Sequence, residues 1–159
     1  MRSRRTASPR AGLTLIDLVI ALLIIGVLSA VAAPRFVHML GRYRVDAAAS
    51  RVQADLEYAR QQARTHNQSR TVVFDAAAHA YELADADHPD QPGGKYVVSL
   101  SDSPGDVALK AASFGAENAP RVTFDLYGRP DGGGTVVLTA GRSQRSVRVN
   151  GTTGRVTVE

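Results

Sequence analysis

The chain has 159 residues and no cysteine. This length allows one globular domain with an appendage and excludes large folds such as a TIM barrel, and the lack of cysteine excludes disulfides and thiol nucleophiles. The net charge of +4 comes entirely from the first ten residues, which hold four arginines and no acidic residue: 19 basic residues minus these 4 leaves 15, against 15 acidic ones. Everything after this short leader is formally neutral, which argues against a general polyanion binder.

The stretch 13–33 (LTLIDLVIALLIIGVLSAVAA) is apolar over about the twenty residues that a membrane-spanning helix needs. A cleaved secretory signal is the competing interpretation, because it also combines a basic start with an apolar core. The length of the run and its continuation into a helical pattern favour a retained transmembrane helix. The arginines of the leader then place the N-terminus in the cytoplasm.

Asp17 is a carboxylate within this apolar run, where an unpaired charge is costly. Two interpretations are open. The residue either lies at the membrane edge, close to water, or meets a cation within an assembly of such helices.

The leader resembles the class III signal of type IV pilins and type II secretion pseudopilins. It ends in Ala11-Gly12 and continues as Leu13-Thr14-Leu15-Ile16-Asp17. This resemblance implies that a prepilin peptidase cuts after Gly12 and methylates the new amine of Leu13. It also implies that Asp17, in place of the usual glutamate, pairs with the N-terminal amine of a neighbouring subunit.

The segment 34–66 predicts an amphipathic continuation of the helix. Its apolar face combines spacings of three and four residues, with Val45, Ala49, Val52, Leu56, Ala59 and Ala63. The predicted solvent face carries Arg42, Arg44, Asp46, Arg51, Asp55, Glu57, Arg60 and Arg64.

The segment 67–159 changes to short β-rich runs separated by turn residues. Strands are predicted at 70–75, 80–83, 96–100, 121–126, 135–139, 146–149 and 155–158. We expect positive φ angles within 131–134 and 150–151, and an antiparallel pair in which Val147 and Val149 face Val156 and Val158. The fold class is therefore α+β: a long N-terminal α-helix packed on an antiparallel β-sheet or β-sandwich.

This half resembles the GspH/FimT pseudopilins. The landmarks run in order through 58–64, 71–74, 122–124 with Gly128, and 151–156. The resemblance implies a minor pseudopilin at or near the tip of a type II secretion pseudopilus, anchored in the inner membrane with a periplasmic domain. Its implied partners are other pseudopilins or pilins, the prepilin peptidase and the inner-membrane assembly platform. A FimT-like minor pilin that takes up DNA is the alternative, and a monomeric membrane-anchored binding domain is the third.

The sequence contains no pattern typical of an enzyme, a metal site or a cofactor site. The four histidines lie on separate predicted elements, without the spacing of metal ligands. Two weaker patterns remain. The acidic loop with Asp85, Asp87 and Asp90 could offer oxygen ligands to calcium, and an arginine cluster near the C-terminus could meet DNA phosphates; in both cases a solvated surface is the favoured interpretation. The cluster consists of Arg142, Arg145, Arg148 and Arg155. We therefore expect no enzymatic activity and no cofactor.

Overall fold

The computed structural model describes residues 14–88, 91–102 and 106–159, with side chains described except at 31–38 and 85–93. The chain forms two compact units, one ending at Val37 and one comprising His38–Glu159. Helix α1 is Leu15–His66. The expected α+β fold, with an N-terminal helix and antiparallel sheets, is confirmed.

In the described part of the chain, eight strands follow the helix and form two four-stranded antiparallel sheets. The first sheet has the order β3-β2-β1-β5 and the second the order β4-β6-β7-β8. The strands are β1 Arg70–Asp75, β2 Ala80–His88, β3 Gln91–Ser99, β4 Ala108–Phe114, β5 Arg121–Phe124, β6 Gly134–Ala140, β7 Ser143–Val149 and β8 Val156–Val158.

The predicted pairings agree with the observed register. Strands β1 and β2 form the expected hairpin, and Val147 and Val149 lie opposite Val158 and Val156. Strand β4 was not predicted from the sequence. Its sequence, ALKAASF, contains no β-branched residue, so its β-propensity is low, and it is a strand because it pairs with β6.

The apolar stripe of α1 is buried together with the inner faces of both sheets. All six residues predicted for that stripe are at most 2% exposed. The two sheets meet through Phe74 of β1 and Phe114 of β4, whose rings stack with centroids 5.6 Å apart. The helix thus completes a core that neither sheet closes alone.

The predicted positive φ angles within 131–134 and 150–151 are wrong, since among the described glycines positive φ occurs instead at Gly115, Gly128, Gly141 and Gly154. The glycines of the β5–β6 connection have another function. A Cβ atom added to Gly133 would lie 2.8 Å from the backbone nitrogen of Gly151, and the reverse substitution is equally close. Two turns therefore approach each other so closely that neither position has room for a side chain.

Asp55 was predicted on the solvent face of α1, and this prediction is wrong, because its side chain is buried. The hydroxyl of Tyr96 on β3 donates to its Oδ1 at 2.9 Å, and the hydroxyl of Tyr81 on β2 donates to its Oδ2. Arg51, one turn earlier on the helix, lies 4.0 Å from the same carboxylate. Two phenols from the first sheet thus replace the water that a buried carboxylate loses.

The phenols in this cluster hold their protons tightly. Burial and the neighbouring Asp55 carboxylate raise the pKa of Tyr96 to about 12 and raise the pKa of Tyr81 further above its ordinary value. In the unfolded chain both phenols ionise near pH 10. Between about pH 10 and pH 12 the folded protein therefore keeps phenol protons that the unfolded chain has released.

We predict that the stabilising contribution of this cluster to the fold is lost at alkaline pH. Because the folded-state pKa values are raised, the stabilisation is fully present below about pH 10 and is lost as the pH rises from about 10 towards 12. Urea unfolding of the detergent-solubilised chain at pH 9, 10 and 11, followed by circular dichroism, measures this slope.

A Tyr81→Phe, Tyr96→Phe double variant should flatten the slope and be less stable at pH 8, since Asp55 loses both donors. The matched control is Tyr43→Phe, Tyr127→Phe, which changes two phenols that are 70% and 71% exposed. An alkaline slope that persists in the Tyr81, Tyr96 variant and disappears in the control would contradict the assignment.

Candidate functional site

The first unit presents an apolar helix whose large aliphatic side chains are exposed. From Leu15 to Leu28 its large aliphatic side chains are between 51% and 80% exposed. Among the residues that the structure describes, no helix meets the length and apolarity that a membrane crossing requires. The predicted transmembrane segment 13–33 extends at both ends beyond the side chains that are described.

Of the predicted processing and assembly residues, Gly12 and Leu13 lie outside the described part of the chain, whereas Asp17 lies in the first turn of α1. Its carboxylate Oδ2 accepts hydrogen bonds from the backbone N–H of Thr14 at 3.0 Å and from the Thr14 hydroxyl at 2.7 Å. The N–H of Asp17 donates back to the Thr14 hydroxyl at 3.3 Å. This reciprocal arrangement is a capping box that fixes the start of the helix.

The contribution of Thr14 to this cap was not predicted from the sequence. The signal was available, because Thr14-x-x-Asp17 before an apolar run is the spacing of a capping box. Both of these bonds from Thr14 go to Oδ2, and the Asp17 residue is exposed.

In the second unit, side chains of α1 hydrogen-bond to backbone groups on the free edge of the C-terminal strand β8. The Glu57 carboxylate accepts the N–H of Val156 at 3.1 Å, and the Gln53 amide donates to the Val156 carbonyl at 3.1 Å. Arg60 donates to the carbonyls of Gly128 and Thr153 at 3.1 and 2.9 Å. These contacts cover the outer edge of β8 at Val156, where unpaired strand groups would otherwise be exposed.

The four arginines of the C-terminal cluster do not form one surface. Arg145 faces the same side of β7 as Val147 and Val149 and pairs with Asp46 of the helix. Arg148 lies on the opposite face, where its Nε is 3.7 Å from Glu159. Two of the four charges are therefore compensated within the chain, on opposite faces of one strand, as the spacing of three residues predicts.

The other weak patterns give no site within the described residues. The side chains of Asp85, Asp87 and Asp90 lie outside that part of the chain, so the calcium hypothesis stays a prediction. Elsewhere in the described chain, no group of three histidine, aspartate or glutamate side chains is placed to hold a metal ion.

We predict that the chain binds duplex DNA weakly at physiological salt, because Arg145 and Arg148 are paired and affinity depends on the number of phosphates neutralised together. Gel-shift titration of the detergent-solubilised chain measures this. The control for an Arg142→Ala, Arg155→Ala variant is Lys110→Ala, Arg121→Ala, which removes the same charge. Tight binding that is lost only in the Arg142, Arg155 variant would make DNA uptake the leading function.

Comparison with known proteins identifies a family for the second unit. The model of the GspH family, described as type II transport protein GspH, matches residues 48–153, which is most of the second unit. No curated protein matches the chain.

Two crystal structures of the type IV minor pilin FimU from Pseudomonas aeruginosa PAO1 are similar in fold. The crystal form in space group P21 matches with a TM-score of 0.55 at 14% identity, covering 74% of this chain and 90% of FimU. The P65 form has a TM-score of 0.48 at 17% identity, covering 72% and 91%. The P21 form shares the pilin-like fold with this chain, and the match to residues 48–153 shows that the chain belongs to the GspH family.

Proposed function

We propose that the chain is a minor pseudopilin of a type II protein secretion system. It acts as a structural subunit at or near the tip of a periplasmic pseudopilus. The observation that carries this proposal is the match of the GspH family model over residues 48–153. The exposed apolar helix that precedes this domain supports it, because such a helix needs lipid or other helices around it.

In this proposal the segment 13–33 anchors the subunit in the inner membrane with its N-terminus in the cytoplasm. Aliphatic side chains that are more than half exposed from Leu15 to Leu28 are unfavourable in water and favourable in hydrocarbon. The four leader arginines favour the cytoplasmic side. After cleavage the same helix packs among the helices of other pseudopilins.

The proposed function is mechanical: the subunit transmits force within a fibre. The second unit is built so that its helix and its sheets move together. Its core is closed by α1, and the contacts of Gln53, Glu57 and Arg60 fasten the C-terminal strand and turns to that helix. A force applied to the helix is therefore passed to both sheets through buried contacts. The second unit can therefore move as one body when its helix moves with the growing fibre.

The DNA-uptake alternative has less support from the structure. The paired states of Arg145 and Arg148 leave few uncompensated charges on β7. The position of the gene distinguishes the two systems: neighbouring genes for a secretin and a secretion ATPase support type II secretion, whereas genes for pilus retraction and competence support a type IV pilus.

We predict that the mature protein begins at Leu13 and carries one methyl group on its new amine. The intact mass of the membrane-extracted protein tests both features together. A Gly12→Val variant should stay uncleaved, whereas Gly26→Ala, a glycine of the same helix with open space around it, should be processed normally. A protein that retains Met1, or one cleaved near Ala33, would contradict the proposed pseudopilin.

We predict that Asp17 is needed for assembly and not for membrane insertion. Its exposed carboxylate can accept the amine of a neighbouring subunit, whereas an unpaired carboxylate within the membrane is unfavourable. Asp17→Ala should insert normally but crosslink less to partner pseudopilins.

Because Asp17→Ala also removes the helix cap, Asp17→Glu is the companion variant that keeps a carboxylate. Ser29→Ala is the control, since it removes another polar side chain from the same helix, one whose hydroxyl donates to the Ile25 carbonyl. If crosslinking and secretion are unchanged in Asp17→Ala, the carboxylate has no part in assembly.

A further inference from the structure

An exposed surface at the C-terminal end of α1 combines aromatic, aliphatic and basic side chains. We call it the basic-aromatic surface and define it by Arg64, Leu126, Tyr127, Arg129 and Arg155. Tyr127 is 71% exposed and Leu126 is 42% exposed, and all three arginines are exposed. Arg64 is 26 residues after His38, which is about 39 Å along the helix from the start of the second unit.

The apolar side chains of this surface stand on a well-ordered turn. Oδ1 of Asp125 accepts the N–H groups of Tyr127 at 2.9 Å and Arg129 at 2.8 Å, and the carbonyl of Asp125 accepts the N–H of Gly128 at 2.8 Å. The turn is also bonded to the helix, because the Gly128 carbonyl accepts from Arg60. Tyr127 is thus exposed on a fixed backbone, which lowers the entropy lost when a partner binds.

Two glycines bring the arginines of the surface together. Gly128 has a φ of +75°, and a Cβ atom there would lie 2.7 Å from Cδ of Arg64, so the arginine stem lies directly on the turn. At Gly154, with a φ of +67°, a Cβ atom would lie 2.6 Å from the Gly128 carbonyl. This contact places Arg155 beside the turn that carries Tyr127 and Arg129.

The positive charge of this surface is not compensated within the described chain. Arg64, Arg129 and Arg155 form no ion pair with any residue that the structure describes, in contrast to Arg145 and Arg148. The nearby carboxylates are already engaged: Glu57 accepts from Val156 and Arg60, and Asp125 accepts from its own turn. Next to Arg64, a concave region of about 470 Å³ is lined by Glu57, Arg60, Gln61, Arg64 and Thr65.

We infer that the basic-aromatic surface binds a carboxylate-bearing segment of a neighbouring pilin-like subunit. Tyrosine and arginine are the residues that most often dominate binding energy at protein interfaces, and uncompensated guanidinium groups select carboxylates. The second unit holds 14 basic and 14 acidic residues and is formally neutral. The positive charge of the basic-aromatic surface is therefore local. Three free guanidinium groups are few for duplex DNA, which favours a protein partner.

This inference rests on the proposed function, and a single-cysteine experiment in cells tests it. The chain has no cysteine of its own, so Thr65→Cys, an exposed position beside Arg64 and outside the defined surface, provides one attachment point for a maleimide-benzophenone crosslinker. We expect a photocrosslink to an acidic peptide of another pilin-like subunit, identified by mass spectrometry. Lys110→Cys, exposed on the outer face of β4, is the matched position and should not give that peptide.

Charge reversal in the same cells tests the arginines. Arg64→Glu with Arg129→Glu should reduce the Thr65→Cys crosslink by about tenfold, because two attractive charges become repulsive. Lys110→Glu with Arg142→Glu changes the net charge equally and should leave the crosslink intact. If both charge-reversed variants lose the crosslink to the same extent, or if the crosslinked peptide comes from a secreted protein or is absent, the inference is wrong.

A binding measurement in detergent adds a readout that does not require a fibre. A fluorescein-labelled decaglutamate peptide should bind the solubilised chain at 50 mM salt, and Arg64→Glu with Arg129→Glu should weaken it about tenfold. Displacement of the peptide by duplex DNA at lower concentration would make the surface a nucleic-acid site and would overturn the inference. Correct processing at Gly12 with no crosslink refutes this inference alone, whereas a chain that is neither processed nor found in the fibre refutes the proposed function.

Discussion

Burial of the apolar stripe of helix α1 is the interaction on which the second unit depends. Each four-stranded sheet has one apolar face, and an isolated sheet of this size would leave that face in water. The stripe from Val45 to Ala63 is buried together with both faces, so all three elements lose exposed apolar area at once. Because the same helix continues into the first unit, the element that closes the core is also the one proposed to join the fibre.

Polar contacts then specify how the helix sits on the sheets. Asp55 receives the hydroxyls of Tyr81 and Tyr96 from the first sheet, and Gln53 and Glu57 bond to Val156 in the second. A hydrophobic stripe alone would permit the helix to slide or rotate, because apolar contacts are not directional. Buried hydrogen-bonding groups penalise such shifts, since each would lose a partner in a region without water.

The surfaces proposed for assembly differ in their chemistry. The first unit presents aliphatic side chains and one capped carboxylate, which suit a membrane and the helices of other subunits. The basic-aromatic surface of the second unit presents arginines around a fixed tyrosine, which suit a carboxylate in water. A local group of unpaired arginines on an otherwise neutral domain can select the orientation of a neighbour without attracting every anion.

The sequence by itself determined the apolar helix, its buried stripe and the hairpin signals, because these depend on periodicity and local turn chemistry. It also carried the resemblance that the family match confirmed. Only the tertiary structure decided that the strands form two sheets, that β4 is a strand, and that Asp55 faces the core. It also decided that Gly128 and Gly154 bring Arg64, Tyr127 and Arg155 together. These features depend on contacts between residues far apart in the chain, and no local pattern encodes the environment that a distant segment supplies.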